Sequence, residues 1–148
     1  MKLLSVLVLA ILVSACGAPS ASHPQEKIVV SNAWARPTPG GVDIAAGYLT
    51  IVNRSGADDT LLSATSTRGQ VEIHTTMMMG GGMMSMRHAE GLPIKAGATL
   101  TLTPGGAHLM FEDLPAPFAV GDQIPVTLSF AHAGSIETTL SVQQNPPS

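Results

Sequence analysis

No window of the chain carries apolar side chains at the 3.6-residue period of a helix. Short runs of alternating apolar and polar residues recur instead, at 28–35, 44–53, 59–66, 70–76, 84–90, 98–103, 107–112, 124–131 and 135–143. Turn-forming residues stand between them, among them Asn53–Gly56, Gly80–Gly82, Lys95–Gly97, Pro104–Gly106 and Ala133–Gly134. A two-residue period sends successive side chains to opposite faces, so each run buries one face only. Many short strands at this spacing predict an all-β sandwich or barrel. The expected core is Ile28, Val30, Leu49, Ile51, Leu61, Val71, Ile73, Leu100, Leu102, Leu109, Phe111, Val126, Leu128, Phe130, Leu140 and Val142. Aromatic residues are 3% of the chain, so aliphatic packing must carry that core.

The first fifteen residues read as an export signal, with Lys2 as a minimal basic start and an apolar run from Leu3 to Val13. That run is shorter than the roughly 20 residues needed to span a bilayer. Val13-Ser14-Ala15-Cys16 has the spacing of a bacterial lipobox, which makes Cys16 the expected lipidation site. The organisation that follows is a signal peptide at 1–15, a lipidated Cys and Pro/Ser/Ala tether at 16–27, one domain at 28–143, and a short tail at 144–148.

Cys16 is the single cysteine. Internal disulfides, Cys-based zinc fingers and a blue-copper site with a thiolate ligand are therefore excluded. The formal net charge is −3 with no basic patch, which argues against nucleic acid as a partner. The familiar hydrolase signatures G-x-S-x-G and H-E-x-x-H are missing, so no catalytic residue is assigned and an enzyme is not expected.

Six of the eight methionines fall between Met77 and Met86, a seventh is Met110, and the eighth is Met1. Methionine usually fills gaps in a core, and none is used that way here. Thioether is a soft donor and selects Cu(I), whereas Zn(II) takes nitrogen, thiolate and carboxylate. It also cannot form disulfides, so it provides a soft site in an oxidising compartment.

Alternation places the partners. With Leu109 and Phe111 turned inward, His108 and Met110 project outward together, about 7 Å apart at Cα. With Val71 and Ile73 inward, His74 projects outward where the Met/Gly segment begins. Gly80–Gly82 let the chain turn back so that Met86 returns near His74. A neutral set of two imidazoles and two thioethers suits one Cu(I). Met83, Met84 and His88 are candidate auxiliary donors. Met77, Met78, Met79, Met83 and Met84 form a candidate second capture surface. His23 and His132 are expected to be solvated.

The stretch 71–114, with His74, Met86, Arg87, Glu90-Gly91, Pro104-Gly105-Gly106 and His108-Leu109-Met110, resembles the PCu(A)C periplasmic copper chaperones, whose signature is H-x10-M-x21-H-x-M. Met86-x21-His108-x-Met110 fits that signature, while His74 and Met86 are separated by one residue more than it specifies. The extra residue is assigned to the Met/Gly turn, and the intact downstream spacing favours Met86 over Met83 or Met84. A looser likeness runs over 28–143, including Trp34-Ala35-Arg36 and Ala46-Gly47-Tyr48. The resemblance implies a cupredoxin-like Greek-key β-sandwich that holds one Cu(I) on His74, Met86, His108 and Met110. It also implies delivery of that ion to the Cu(A) site of cytochrome c oxidase, through subunit II or an assembly factor. The His/Met-rich extension of some family members has no counterpart in residues 143–148.

The expectation is a lipid-anchored, extracytoplasmic Cu(I) carrier. Copper buffering or resistance is the nearest alternative, and an adhesion or assembly lipoprotein using the Met segment as a contact surface is the alternative outside metal biology.

Overall fold

A computed structural model describes residues 27–148. The export signal, Cys16 and most of the tether lie outside the described residues. Each regular element among the described residues is a strand: β1 (Ile28–Ala35), β2 (Ala45–Asn53), β3 (Asp59–Thr65), β4 (Gln70–Met78), β5 (Met84–His88), β6 (Leu92–Ile94), β7 (Thr99–Leu102), β8 (His108–Glu112), β9 (Gln123–Phe130) and β10 (Gly134–Val142). The two-residue period is plainest in β9, where Ile124, Val126, Leu128 and Phe130 turn to the core and the residues between them turn out.

The strands form one continuous hydrogen-bonded sheet in the order β5-β4-β8-β2-β1-β10-β9-β3-β6, with β7 also on β2. Neighbours are antiparallel except β1 and β10. The sheet closes over a single apolar core. Ile73, Leu109, Phe111, Leu49 and Ile51 come from one half, and Leu61, Val126, Leu128, Phe130 and Leu140 from the other. The result is the all-β sandwich that alternation predicts.

Three departures from the sequence reading have simple causes. β6 is a three-residue strand containing Pro93, which reads as a breaker in sequence. It pairs only with β3 at the end of the sheet, where a missing N–H does not interrupt a ladder. β4 continues to Met78 rather than stopping at 76, and β5 ends at His88 rather than 90. Val30, Val71 and Leu100 are only half-buried, whereas Phe118, which lies in no strand, is fully buried with its ring edge-on to Phe111 at 5.3 Å.

One irregularity matters for the site. β7 and β8 run along the same edge of β2: Thr99–Leu102 pair with Val52–Leu49, and Leu109–Phe111 pair with Gly47–Ala45. They form one strand interrupted by the excursion 103–107, which Thr103 N–H closes by donating to the Ala107 carbonyl at 2.9 Å. Gly47 keeps β8 seated. A Cβ there would lie 2.8 Å from Leu140 Cδ1 and 2.9 Å from the Phe111 ring.

Candidate metal centre

Strand β4 lies between β5 and β8, and its register decides what converges. His74 is directly opposite His88 on β5 and directly opposite His108 on β8. Opposed residues share a face, so three imidazoles form one row across three strands. Glu72 stands opposite Met110, and Thr76 opposite Met86. Both pairs are two residues from the histidine row and therefore on the same face. Met86 lies towards the hairpin end of the row, and Met110 towards its other end.

His108 and Met110 occupy the face opposite Leu109 and Phe111, as alternation requires. Although it projects away from the core face, His108 is only 4% exposed. The excursion between β7 and β8 accounts for this. His108 Nδ1 lies 2.9 Å from the Gly106 carbonyl, and the Thr76 hydroxyl donates to the same oxygen at 3.2 Å. A carbonyl only accepts, so Nδ1 carries the proton and the Nε2 lone pair is left for another partner.

His74 is oriented by a different group with the same outcome. Its Nε2 donates to Glu72 Oε2 at 3.0 Å, and its ring is half-buried. Nδ1 is then the unprotonated nitrogen. It is buried and lacks a hydrogen-bond partner, the one such side-chain nitrogen or oxygen among the described residues. A buried acceptor without a donor is costly in a finished fold, and a ligand removes that cost. The bond from His74 holds the Glu72 carboxyl below the usual carboxylate range; burial opposes this, and His88 adds to it.

The His74 and His108 ring centres are 5.8 Å apart at 69°. With metal–nitrogen bonds of about 2.0 Å, two imidazoles on one ion have ring centres roughly 5–6 Å apart. The pair therefore has the separation that sharing an ion requires. The His74 and His88 ring centres are 6.3 Å apart.

The methionines sit on an overhang. β8 begins at His108 opposite His74, so residues 75–78 of β4 have only β5 as a neighbour. That two-stranded ribbon runs past the core, and Met77, Met78, Met79, Met83, Met84 and Met86 are all exposed. Met79 N–H donates to the Met83 carbonyl at 2.6 Å, and Gly80–Gly82 make the turn. Gly81 and Gly82 have φ of +84° and +80°, a conformation that side chains other than glycine rarely adopt. Met110, within the sheet, is half-buried.

The chain as a whole is similar to other proteins over most of its described length. A family model described as "Putative lipoprotein LpqE-like" matches residues 28–142, nearly the whole described chain. The chain belongs to the LpqE-like family. "Putative lipoprotein Lxx21020" of Leifsonia xyli subsp. xyli is 31% identical over 117 residues, spanning 78% of this chain and 69% of that protein. Among solved structures, the copper-bound PCuAC domain from PmoF2 superposes with a TM-score of 0.68 at 23% identity, covering 80% of this chain and 94% of that one. The solution structure of CuI-DR1885 from Deinococcus radiodurans superposes at 0.62 with 26% identity, covering 88% and 86%. The PCuAC fold implied by the resemblance in sequence is therefore the fold of this LpqE-like protein.

Sequence reasoning passed over Glu72 in this LpqE-like chain. Glu72 Oε2 lies 3.4 Å from His88 Nδ1 as well as 3.0 Å from His74 Nε2, so Glu72, His74 and His88 form a compact group of nitrogen and oxygen donors. The signal was present, because Glu72 is two residues before His74 and alternation puts it on the same face. The Gly106 carbonyl was less legible, since only the closure of the excursion at 103–107 brings it to His108.

Proposed function

We propose that this protein is a lipid-anchored, extracytoplasmic Cu(I) carrier that holds its ion on His74 and His108 with thioethers from Met86 and Met110. The reading rests on one observation: the two imidazoles sit on paired strands, and each has one nitrogen occupied by an orienting acceptor, leaving the other lone pair free. Orientation of metal-binding imidazoles by carboxylates and carbonyls is the usual arrangement around bound ions. Met86 and Met110 flank the row on the same face, one from each end. A two-imidazole, two-thioether set is neutral and soft, and favours Cu(I) over Zn(II). The PmoF2 domain is known in a copper-bound form and DR1885 in a Cu(I) form, which agrees with this chemistry. Neutral donors beside an open hairpin also suit release by ligand exchange, so the protein acts as a carrier and not as a catalyst.

Lipidation at Cys16 and delivery to the Cu(A) site of cytochrome c oxidase, through subunit II or an assembly factor, complete the proposal. The family and the Leifsonia xyli relative are both named as lipoproteins, which supports the anchor. Anaerobic Cu(I) titration in competition with a chelator tests the site. One tight equivalent is expected, lost in the His74→Ala/His108→Ala variant, with mixed sulfur and nitrogen in the X-ray absorption shell. A shell of nitrogen and oxygen alone contradicts the ligand set. Transfer to the apo copper domain of subunit II separates delivery from buffering, because a buffer retains its ion. Cys16→Ser should abolish acylation in intact-mass analysis, and a mature N-terminus elsewhere without lipid refutes the anchor.

A further inference from the structure

The hairpin sorts its methionines by face. The β4–β5 register pairs Met78 with Met84, Met77 with Ser85 and Thr76 with Met86, without a bulge. Met78, Met84 and Met86 therefore share one face, and it is the face of His74, His88 and His108. Met77 points the opposite way, and Met79 and Met83 flank the turn.

We propose that Met78, Met84 and Met86 form a second Cu(I) site, made of thioethers alone, at the outer end of the β4–β5 hairpin. The proposal rests on the Cu(I) reading of the histidine row and extends it along the same face. Directly opposed residues have Cβ atoms about 5 Å apart, and Met86 is about 7 Å along β5 from Met84. Methionine is unbranched, with three rotatable side-chain bonds, so three sulfurs at these positions can meet on one ion. Met78 is 78% exposed, and Met84 and Met86 are each 60% exposed. Nothing in the fold uses their apolar surface, and a donor complex can reach all three. The closed turn limits the ribbon's freedom, so the three side chains leave neighbouring positions on one face before an ion arrives.

Donor chemistry separates the two sites. Three thioethers are neutral at every accessible pH and have little affinity for Zn(II) or Mg(II). Such a site accepts Cu(I), or Ag(I) as its redox-inert analogue, and holds it without a proton to displace. An imidazole, unlike a thioether, can take up a proton in place of a metal. Met86 lies between the Met78–Met84 pair and the His74–His88 pair, two residues from each. An ion captured at the tip can therefore pass to the histidines by exchanging one ligand at a time, with Met86 common to both.

The test uses the full chain in detergent, titrated anaerobically with Cu(I) and separately with Ag(I). Wild type should take two equivalents, the second weaker because Met86 serves one ion at a time and, with both bound, leaves the outer ion on Met78 and Met84. The Met78→Leu/Met84→Leu variant keeps the shape and hydrophobicity of the ribbon but removes two sulfurs, and should take one. The His74→Ala/His108→Ala variant should also keep one, with affinity unchanged between about pH 7.5 and 5 and a sulfur-only absorption shell. Saturation of wild type at one equivalent, or two equivalents retained by the leucine variant, overturns the thioether site. If the histidine variant binds like wild type, the reading of the histidine row falls while the loss in the leucine variant still supports the hairpin site.

Discussion

Two regions place polar or soft side chains on strands, and they use them in opposite ways. Where β2 ends and β3 begins, Asn53 and Asp59 are buried and their side-chain capacity is used within the protein. The Asn53 amide donates to the carbonyls of Ala57 and Ile94, and its oxygen accepts from Ser55 N–H and Oγ. Asp59 accepts from the backbone N–H groups of Thr60, His132 and Ala133, tying β3 to the β9–β10 turn. Burial alone would raise the Asp59 carboxyl; these three donors outweigh it and hold the group below the usual range. On the β5-β4-β8 face, His74 Nδ1 has no partner and Met78, Met84 and Met86 are exposed. Polar groups with nothing left over hold the fold together, whereas groups with a spare lone pair are available to a ligand.

The sharpest way to break this contrast is acid. Imidazole ligates only as the neutral ring whereas thioether takes up no proton, so acid should weaken Cu(I) binding at the histidine row. The Asp59 contribution behaves differently. Its folded value is depressed, so its stabilisation is present above the unfolded value near 3.9 and is lost only as pH falls through the folded one. Between pH 7.5 and 5 the histidine row should therefore release copper while circular dichroism still reports the folded sandwich. Unfolding that coincides with release would show that the regions are not separate.

Asp59→Asn comes next. The amide cannot accept all three backbone bonds, and the loss should be about 1–3 kcal/mol in denaturant unfolding. Cu(I) affinity should not change. Met86→Ala and Met110→Ala should each weaken Cu(I) at least tenfold, about 1.4 kcal/mol, and leave unfolding midpoints in place. The smallest effect is expected at Met77→Ala, because that side chain lies on the face away from the histidines. Equal losses at Met77 and Met86 would remove the face argument. If Met83→Ala or Met84→Ala loses the tight ion while Met86→Ala binds normally, a different hairpin sulfur ligates it.

Much of the architecture was legible because alternation is a local signal. Leu109 and Phe111 turn inward and put His108 and Met110 on the other face, and the same logic places Ile73 and His74. Phe118 and Pro93 were not legible, since one is buried from a loop and the other tolerated at a sheet end, and both outcomes depend on tertiary neighbours. The burial of His108 was hidden for the same reason: the Gly106 carbonyl reaches it only because β7 and β8 share an edge of β2. Whether β4 stops at 76 or runs on to Met78 depends on its pairing with β5, which hydropathy does not encode.

The unbroken β4–β5 pairing has a consequence for how such proteins are found. Each pair in the ribbon adds to the same total of residue numbers, so lengthening the turn slides every later residue along without changing which side chains face His74. A motif written as a fixed interval treats an added turn glycine as a mismatch. The ladder treats it as slack. Relatives whose turns differ by one residue, or several, should be sought by aligning the paired strands and letting the loop length float.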